Sequence, residues 1–80
     1  MGNREGKLSY LKPGEEATIV KIDSKDAKIL KKLMALGVLP GLKVELLQKF
    51  PTYVFKIGNT KIAADEEIAK SIIIIKNSAL

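Results

Sequence analysis

The segment that most constrains the fold is 33–41, with the sequence LMALGVLPG. Gly37 can adopt the left-handed backbone conformation that ends a helix, because it has no Cβ to clash. Val38 can then fold back onto the last helical turn. Pro40 and Gly41 predict a tight turn, since proline fixes φ and glycine allows the conformation that the next position needs. The segment therefore predicts the end of a helix, a reversal and the start of a strand.

Apolar periodicity around this segment predicts one helix among several short strands. The helix is expected over 25–36, with Asp23 or Ser24 as its N-cap, because its apolar residues recur at helical spacing. A single helical turn is expected near 7–11, and another after Asp65. Gly58 and Asn59 form a two-residue hairpin signal. The predicted strands cover 17–22, 44–50, 53–57, 60–64 and 71–76.

The order of these elements predicts a mainly β fold. One helix between the first two strands does not suit a parallel sheet, which needs repeated helical crossovers, whereas it suits a small antiparallel barrel of about five strands. We expect a flexible N-terminus over 1–6, a single domain over 7–76 and a C-terminal tail over 77–80. The four successive isoleucines at 72–75 must send one pair of side chains into the core, and the other pair needs a cover.

Composition argues against catalysis and against a spanning segment. The chain of 80 residues has no cysteine and no histidine, so thiol and imidazole chemistry are excluded, and its serines have no evident base. The lack of cysteine fits a reducing cytoplasm. No apolar run approaches the ~20 residues that cross a bilayer, so we expect no direct membrane insertion. The sequence predicts a cytoplasmic protein that is not an enzyme.

The positive charge of the chain comes almost entirely from lysine. The net charge is +5, and Arg4 is the only arginine. Because base-edge recognition depends on the bidentate guanidinium group, we expect no specific nucleic-acid partner, although a small basic barrel that binds nucleic acid stays an alternative. Lys25, Lys28 and Lys32 lie on the side of the predicted helix opposite its apolar stripe. They form either a solvated face or a docking face for an acidic partner.

Asp65, Glu66 and Glu67 are the best candidate metal ligands in the sequence. Consecutive residues cannot all face one site in regular structure, and acidic residues are typical of the first turn of a helix. Oxygen ligands alone would favour magnesium, calcium or manganese and hold ferrous iron only weakly. We therefore predict no resident cofactor, and at most a weakly bound divalent metal at these three residues.

Several of these motifs together resemble one known family. Leu8-x-x-Leu11-x-x-Gly14, the strand over 17–22, the 33–41 element, Val44-Glu45-Leu46, and Ile62-Ala63 before Ala69 are similar to ferrous iron transport protein A, FeoA. The likeness runs from about 7 to 76. It implies an SH3-like barrel in a bacterial or archaeal cytoplasm and an accessory role beside the membrane GTPase transporter FeoB. Transition-metal association is also ascribed to such domains.

The resemblance and the lysine-rich helix together predict where a partner binds. We expect a non-enzymatic module that modulates ferrous iron uptake by touching the cytoplasmic part of a FeoB-like transporter. The helix and its exit turn combine basic charge with apolar side chains, which makes them the expected contact. A metal-sensing domain, related to the C-terminal domain of metal-dependent repressors, is a further alternative, and the oligomeric state is left open. The predicted contact residues are Lys28, Lys32, Met34, Val38 and Leu39.

Overall fold

The fold is described here from a computed structural model, which covers residues 5–76. Six strands, two α-helices and one turn of 3-10 helix follow one another along this part of the chain. In order they are β1 (Glu5–Lys7), the 3-10 helix (Leu8–Tyr10), β2 (Glu16–Ile22), α1 (Ala27–Ala35), β3 (Lys43–Gln48), β4 (Tyr53–Ile57), β5 (Thr60–Ala64), α2 (Glu66–Ser71) and β6 (Ile72–Lys76).

All six strands form one antiparallel sheet in the order β1-β6-β2-β3-β4-β5. The mainly β prediction with a short helix after the first long strand is confirmed. The prediction was of about five strands and the structure has six. The additional strand is β1, since Glu5 and Gly6, which were expected in a flexible N-terminus, pair with Ile75 and Ile74. Within residues 5–76 no ladder joins β1 to β5, so the sheet is open where a closed barrel was expected. The rest of the predicted N-terminus and the tail lie outside the described residues.

The core lies on one face of this sheet, and this explains the burial of the four isoleucines. Ile72 and Ile74 are buried, while Ile73 and Ile75 are half-buried on the other face. On that face Glu5 and Lys7 of β1 lie opposite Ile75 and Ile73 in the ladder, so their side chains stand beside these two isoleucines. The largest fully buried side chains are Phe55, Leu8, Leu11, Ile19, Leu33, Leu46, Ile72, Val38 and Val44.

Both ends of α1 are fixed by local hydrogen bonds. The N-cap is Asp26, whose carboxylate accepts a hydrogen bond from the Lys28 backbone N–H at 2.9 Å. The prediction of Asp23 or Ser24 as the cap was wrong. The hydroxyl of Ser24 instead accepts a hydrogen bond from the backbone N–H of Asp26 and so orients Asp26 as the cap. The helix therefore starts later than its apolar pattern suggested.

The C-terminus of α1 closes as the sequence predicted. Gly37 has φ +92°, and its N–H donates to the Met34 carbonyl at 3.0 Å. The Val38 N–H donates to the Leu33 carbonyl at 2.9 Å. This pair of bonds is a Schellman cap, which satisfies carbonyls that the helix end would leave unpaired. It directs the chain sharply away from the helix axis.

Glu15 ties the start of β2 to the end of β6. Its carboxylate forms an ion pair with the Lys76 ammonium at 2.8 Å and accepts a hydrogen bond from the Lys12 backbone N–H at 2.7 Å. The hydrogen bond from Lys76, followed by the one from Lys12, holds the pKa of Glu15 below its ordinary value of 4.5. The pKa of Glu15 therefore depends on the pairing of Glu15 with Lys76 at the end of β6.

This geometry predicts a measurable titration. Because the pKa of Glu15 is lower in the folded than in the unfolded chain, its contribution to stability is present above the unfolded pKa and is lost as the pH falls through the folded pKa. We expect NMR titration to give a Glu15 pKa below 4.5, and Lys76→Gln to raise it. Lys61→Gln, on the distant β5, is the charge-matched control. An unchanged Glu15 titration in Lys76→Gln would contradict the ion pair.

Candidate partner surface

The chain leaves α1 through a rigid, exposed turn, called here the apolar turn (39–42). The Leu42 N–H donates to the Leu39 carbonyl at 3.3 Å, and Gly41 has φ +93°, which fits a turn with proline and glycine at its centre. Two further bonds fix it to β2: the Gly41 N–H donates to the Ile19 carbonyl at 2.7 Å, and the Ile19 N–H donates to the Leu42 carbonyl at 2.9 Å. Its two leucines are thus held in one place.

Large apolar side chains are exposed at this end of the molecule. Leu33 is the only residue of α1 that is fully buried, so the helix rests on the core along a narrow strip. The exposed fractions are 51% for Met34, 41% for Leu36, 39% for Leu39 and 40% for Leu42. Among residues 5–76, only Tyr10 and Phe50 are further large apolar side chains exposed to this degree. Four of the six therefore cluster within one short segment, which is typical of an interaction surface.

Four lysines flank this apolar cluster in sequence, and the same segment contains no carboxylate. Lys28, Lys31, Lys32 and Lys43 are all exposed. The stretch 27–44 contains these four lysines and no aspartate or glutamate. At 100° per residue, Lys28 and Lys32 lie on one flank of α1 and Met34 lies on the other, with Lys31 between them. The surface is basic along the helix and apolar toward the turn.

The structure leaves most of the predicted contact residues exposed. Lys28, Lys32, Met34 and Leu39 are exposed on α1 and the apolar turn. Val38 is not available to a partner, because its side chain is fully buried. That part of the prediction was wrong: a residue that follows the glycine of a helix cap packs back onto the helix. The side chain of Val38, which follows Gly37, therefore packs in the core.

Three exposed residues of this surface were missed from the sequence: Lys31, Leu36 and Leu42. The signal for Lys31 was its position beside Lys28 and Lys32 on the predicted helix. Nothing in the sequence indicates that Leu36 and Leu42 are exposed, since leucines next to a helix end and at a strand start are usually buried. The direction of the apolar turn, which no periodicity reports, leaves them exposed.

The candidate metal ligands do not converge on one site. The Asp65 carboxylate caps α2 by accepting a hydrogen bond from the Ile68 N–H at 2.9 Å, and Glu66 pairs with Lys70 at 3.4 Å. Glu67 lines a groove between α1 and α2 that also contains Asp23 and Lys70. Within residues 5–76, no group of three or more Asp, Glu, His or Cys side chains could hold a metal ion.

Two serines of the described chain have hydrogen-bond partners close to them in sequence. Ser71 is buried and its hydroxyl donates to the Ile68 carbonyl at 2.7 Å, while the hydroxyl of Ser24 lies at the start of α1. Residues 5–76 also contain no helix that is long and apolar enough to cross a bilayer. The surface around α1 is consequently the feature of this structure that points most clearly to a function.

Comparisons with known proteins agree with this picture of the fold. The family model described as "FeoA domain" matches residues 6–76. Comparison with curated protein sequences gives no match. Iron(II) transport protein A from Clostridium thermocellum is similar in structure at 33% identity with a TM-score of 0.76, covering 86% of this chain and 44% of that one.

Two further solved structures have a similar fold. Stenotrophomonas maltophilia FeoA, solved with zinc and described as a prokaryotic SH3 domain protein, is 24% identical with a TM-score of 0.76, covering 85% of this chain and 87% of that one. T. acidophilum IdeR is 21% identical with a TM-score of 0.86, covering 96% of this chain and 36% of that one. These two likenesses show the fold alone, and this chain spans about a third of the length of IdeR.

Proposed function

This chain belongs to the FeoA family, and from that premise we propose that it is a non-enzymatic accessory protein of ferrous iron transport. The proposal is supported by the match over nearly the whole described chain. It is also supported by the description of the Stenotrophomonas relative, for which a role as a ferrous iron transport activating factor has been suggested. The proposal needs no bound cofactor, because it rests on surface contacts.

The partner in this proposal is the cytoplasmic part of a FeoB-like membrane GTPase transporter. The observation that carries it is the combination of Lys28 and Lys32 with the exposed side chains of Met34 and Leu39. A cluster of exposed apolar side chains is typical of an interaction surface, and lysines in the same segment favour a partner with acidic groups. A protein that acts on the cytoplasmic part of a transporter is itself cytoplasmic.

Reversing the charge of one flank of α1 tests this partner. In Lys28→Glu/Lys32→Glu we expect binding to the cytoplasmic part of the FeoB-like transporter from the same organism to weaken by about tenfold or more at low salt. The difference should shrink as salt is raised, since exposed charges are screened. Binding is measured by calorimetry or by NMR shifts of the labelled chain.

The matched control is Lys12→Glu/Lys61→Glu, which makes the same change in net charge at exposed positions away from α1. It should bind normally. If the α1 variant also binds normally at low salt, the basic flank is not the contact. If both variants lose binding equally, only the overall charge matters.

The two alternative functions have no observation of their own in this structure. The likeness to metal-dependent repressors is one of fold, and the described carboxylates do not form a ligand set. Tyr10 and Phe50, the exposed aromatic residues of the described chain, lie on separate segments. Tyr53, which lines one groove with Phe50, is half-buried, so neither place offers two exposed rings on which bases could stack. The accessory role is therefore the function that we propose.

A further inference from the structure

We propose that the apolar turn and the lysines beside it dock this chain peripherally on an anionic lipid bilayer. The leucines of the turn would enter the boundary between headgroups and acyl chains, while the lysines would stay among the headgroups. This binding is shallow and needs no spanning segment. It goes beyond the proposed function, because it concerns the lipid surface and not the transporter.

The rigidity of the apolar turn is the first argument. Leu39 and Leu42 stand at its two ends, and each keeps about two fifths of its side chain exposed. Pro40 and Gly41 between them are exposed as well. The hydrogen bonds to Ile19 hold the turn in this form without a ligand, so little further ordering would be needed for the leucines to leave water.

The charge pattern is the second argument and identifies the occupant. Lys31 on α1 and Lys43 at the start of β3 flank the turn in sequence, and 27–44 holds no carboxylate. The nearest acidic residue before the stretch, Asp26, is at the far end of α1 and caps it. A lysine-rich stretch without a carboxylate of its own, next to exposed leucines, has the composition of interfacial membrane-binding segments. The carboxylates that share a groove with Lys43, those of Glu16 and Glu45, belong to β2 and to β3 beyond the stretch. Lysine suits this role because its long stem spans the interface while its ammonium stays in water.

Lysine is sufficient for a contact with a lipid surface, which needs no bidentate hydrogen bonds. The segment contains no arginine, which is the side chain that makes bidentate contacts in structured protein interfaces. Anionic headgroups instead attract lysine as a mobile point charge, and this attraction falls off within a Debye length. Docking on the bilayer would raise the concentration of the chain near any membrane transporter.

Vesicle binding by the full chain tests the proposal. We expect the chain to sediment with phosphatidylcholine vesicles that contain phosphatidylglycerol and to sediment little with phosphatidylcholine alone. At low salt, partitioning onto the anionic vesicles should be at least about tenfold stronger than onto the neutral ones. Leu42→Asp and Lys31→Gln/Lys43→Gln should each weaken it severalfold. Their controls are Phe50→Asp, an exposed apolar residue on another loop, and Lys12→Gln/Lys61→Gln.

Fluorescence gives a second readout that does not depend on loss of binding. The chain has no tryptophan, so Leu42→Trp introduces a single indole at the turn. Its emission should shift to the blue on anionic vesicles and be quenched by brominated lipid. Phe50→Trp should show neither change.

Three results would overturn the proposal. They are equal binding to neutral and anionic vesicles, equal losses in the control variants, and an indole at 42 that stays in water on bound vesicles. If the chain binds the transporter's cytoplasmic part but no vesicle, the apolar turn serves a protein contact and only the proposed function stands. Vesicle binding without transporter binding would leave this inference and remove that function.

Discussion

Leu33→Ala is expected to lower the free energy of unfolding by about 2–5 kcal/mol, the range for truncating a buried leucine. Leu33 is the single fully buried residue of α1, so its loss leaves a cavity and also removes the main apolar contact that holds the helix to the core. In a domain this small, the change should lower the melting temperature by roughly 10 °C or more. Denaturant unfolding, followed by circular dichroism, measures the effect.

The neighbouring residue provides the control. Met34 is 51% exposed, so Met34→Ala should change the stability by no more than about 0.5 kcal/mol, as surface substitutions usually do. The two variants also separate stability from binding, since Met34 lies on the proposed partner surface and Leu33 does not. Similar losses in both variants would mean that α1 does not rest on the core through Leu33.

Features that depend on a few adjacent residues were predictable from the sequence. The cap at Gly37, the turn at Pro40 and Gly41, and the hairpin at Gly58 each follow from backbone preferences that act over two to four positions. The structure confirms a positive φ at the three glycines. Asp65 was likewise predicted as the N-cap of α2, which it is. Local chemistry was sufficient for these elements.

Features that depend on distant residues were not predictable in the same way. The strand Glu5–Lys7 has no apolar alternation of its own and exists because β6 offers an edge for pairing. The cap of α1 was predicted at Asp23 or Ser24, whereas the cap is Asp26, whose backbone N–H is held by the Ser24 hydroxyl. Whether the sheet closes depends on how β1 and β5 meet, which no short pattern contains.

On the candidate surface, too, some residues could be predicted from local sequence and others could not. Its lysines were found from helical spacing, because a helix exposes whatever lies opposite its apolar stripe. Its leucines were harder to assign, since a leucine in a small domain is normally part of the core. Val38 and Leu39 are adjacent and equally apolar, yet one is fully buried and the other 39% exposed. Only the path of the chain after the helix cap separates them.

Gly37→Val should cost more than about 1–2 kcal/mol, the penalty for an ordinary L-residue in the left-handed region, because a β-branched side chain is more strained there. Gly37 has φ +92°, and a Cβ built on it meets no atom within 4 Å. The loss therefore comes from the backbone and not from a steric clash with neighbours. Because the Schellman cap directs the chain into the apolar turn, the variant should also disturb both proposed contacts.

Substitutions at the same position separate this mechanism from a general effect of adding a side chain. Gly37→Asn should lose clearly less stability than Gly37→Val, since asparagine tolerates the left-handed region far better than valine. Gly6→Ala, at a glycine outside that region, is the second control and should be nearly neutral. Equal unfolding free energies for the Val and Asn variants would show that the helix does not end in a left-handed cap. The direction of the apolar turn would then have to be set by its two bonds to Ile19 alone.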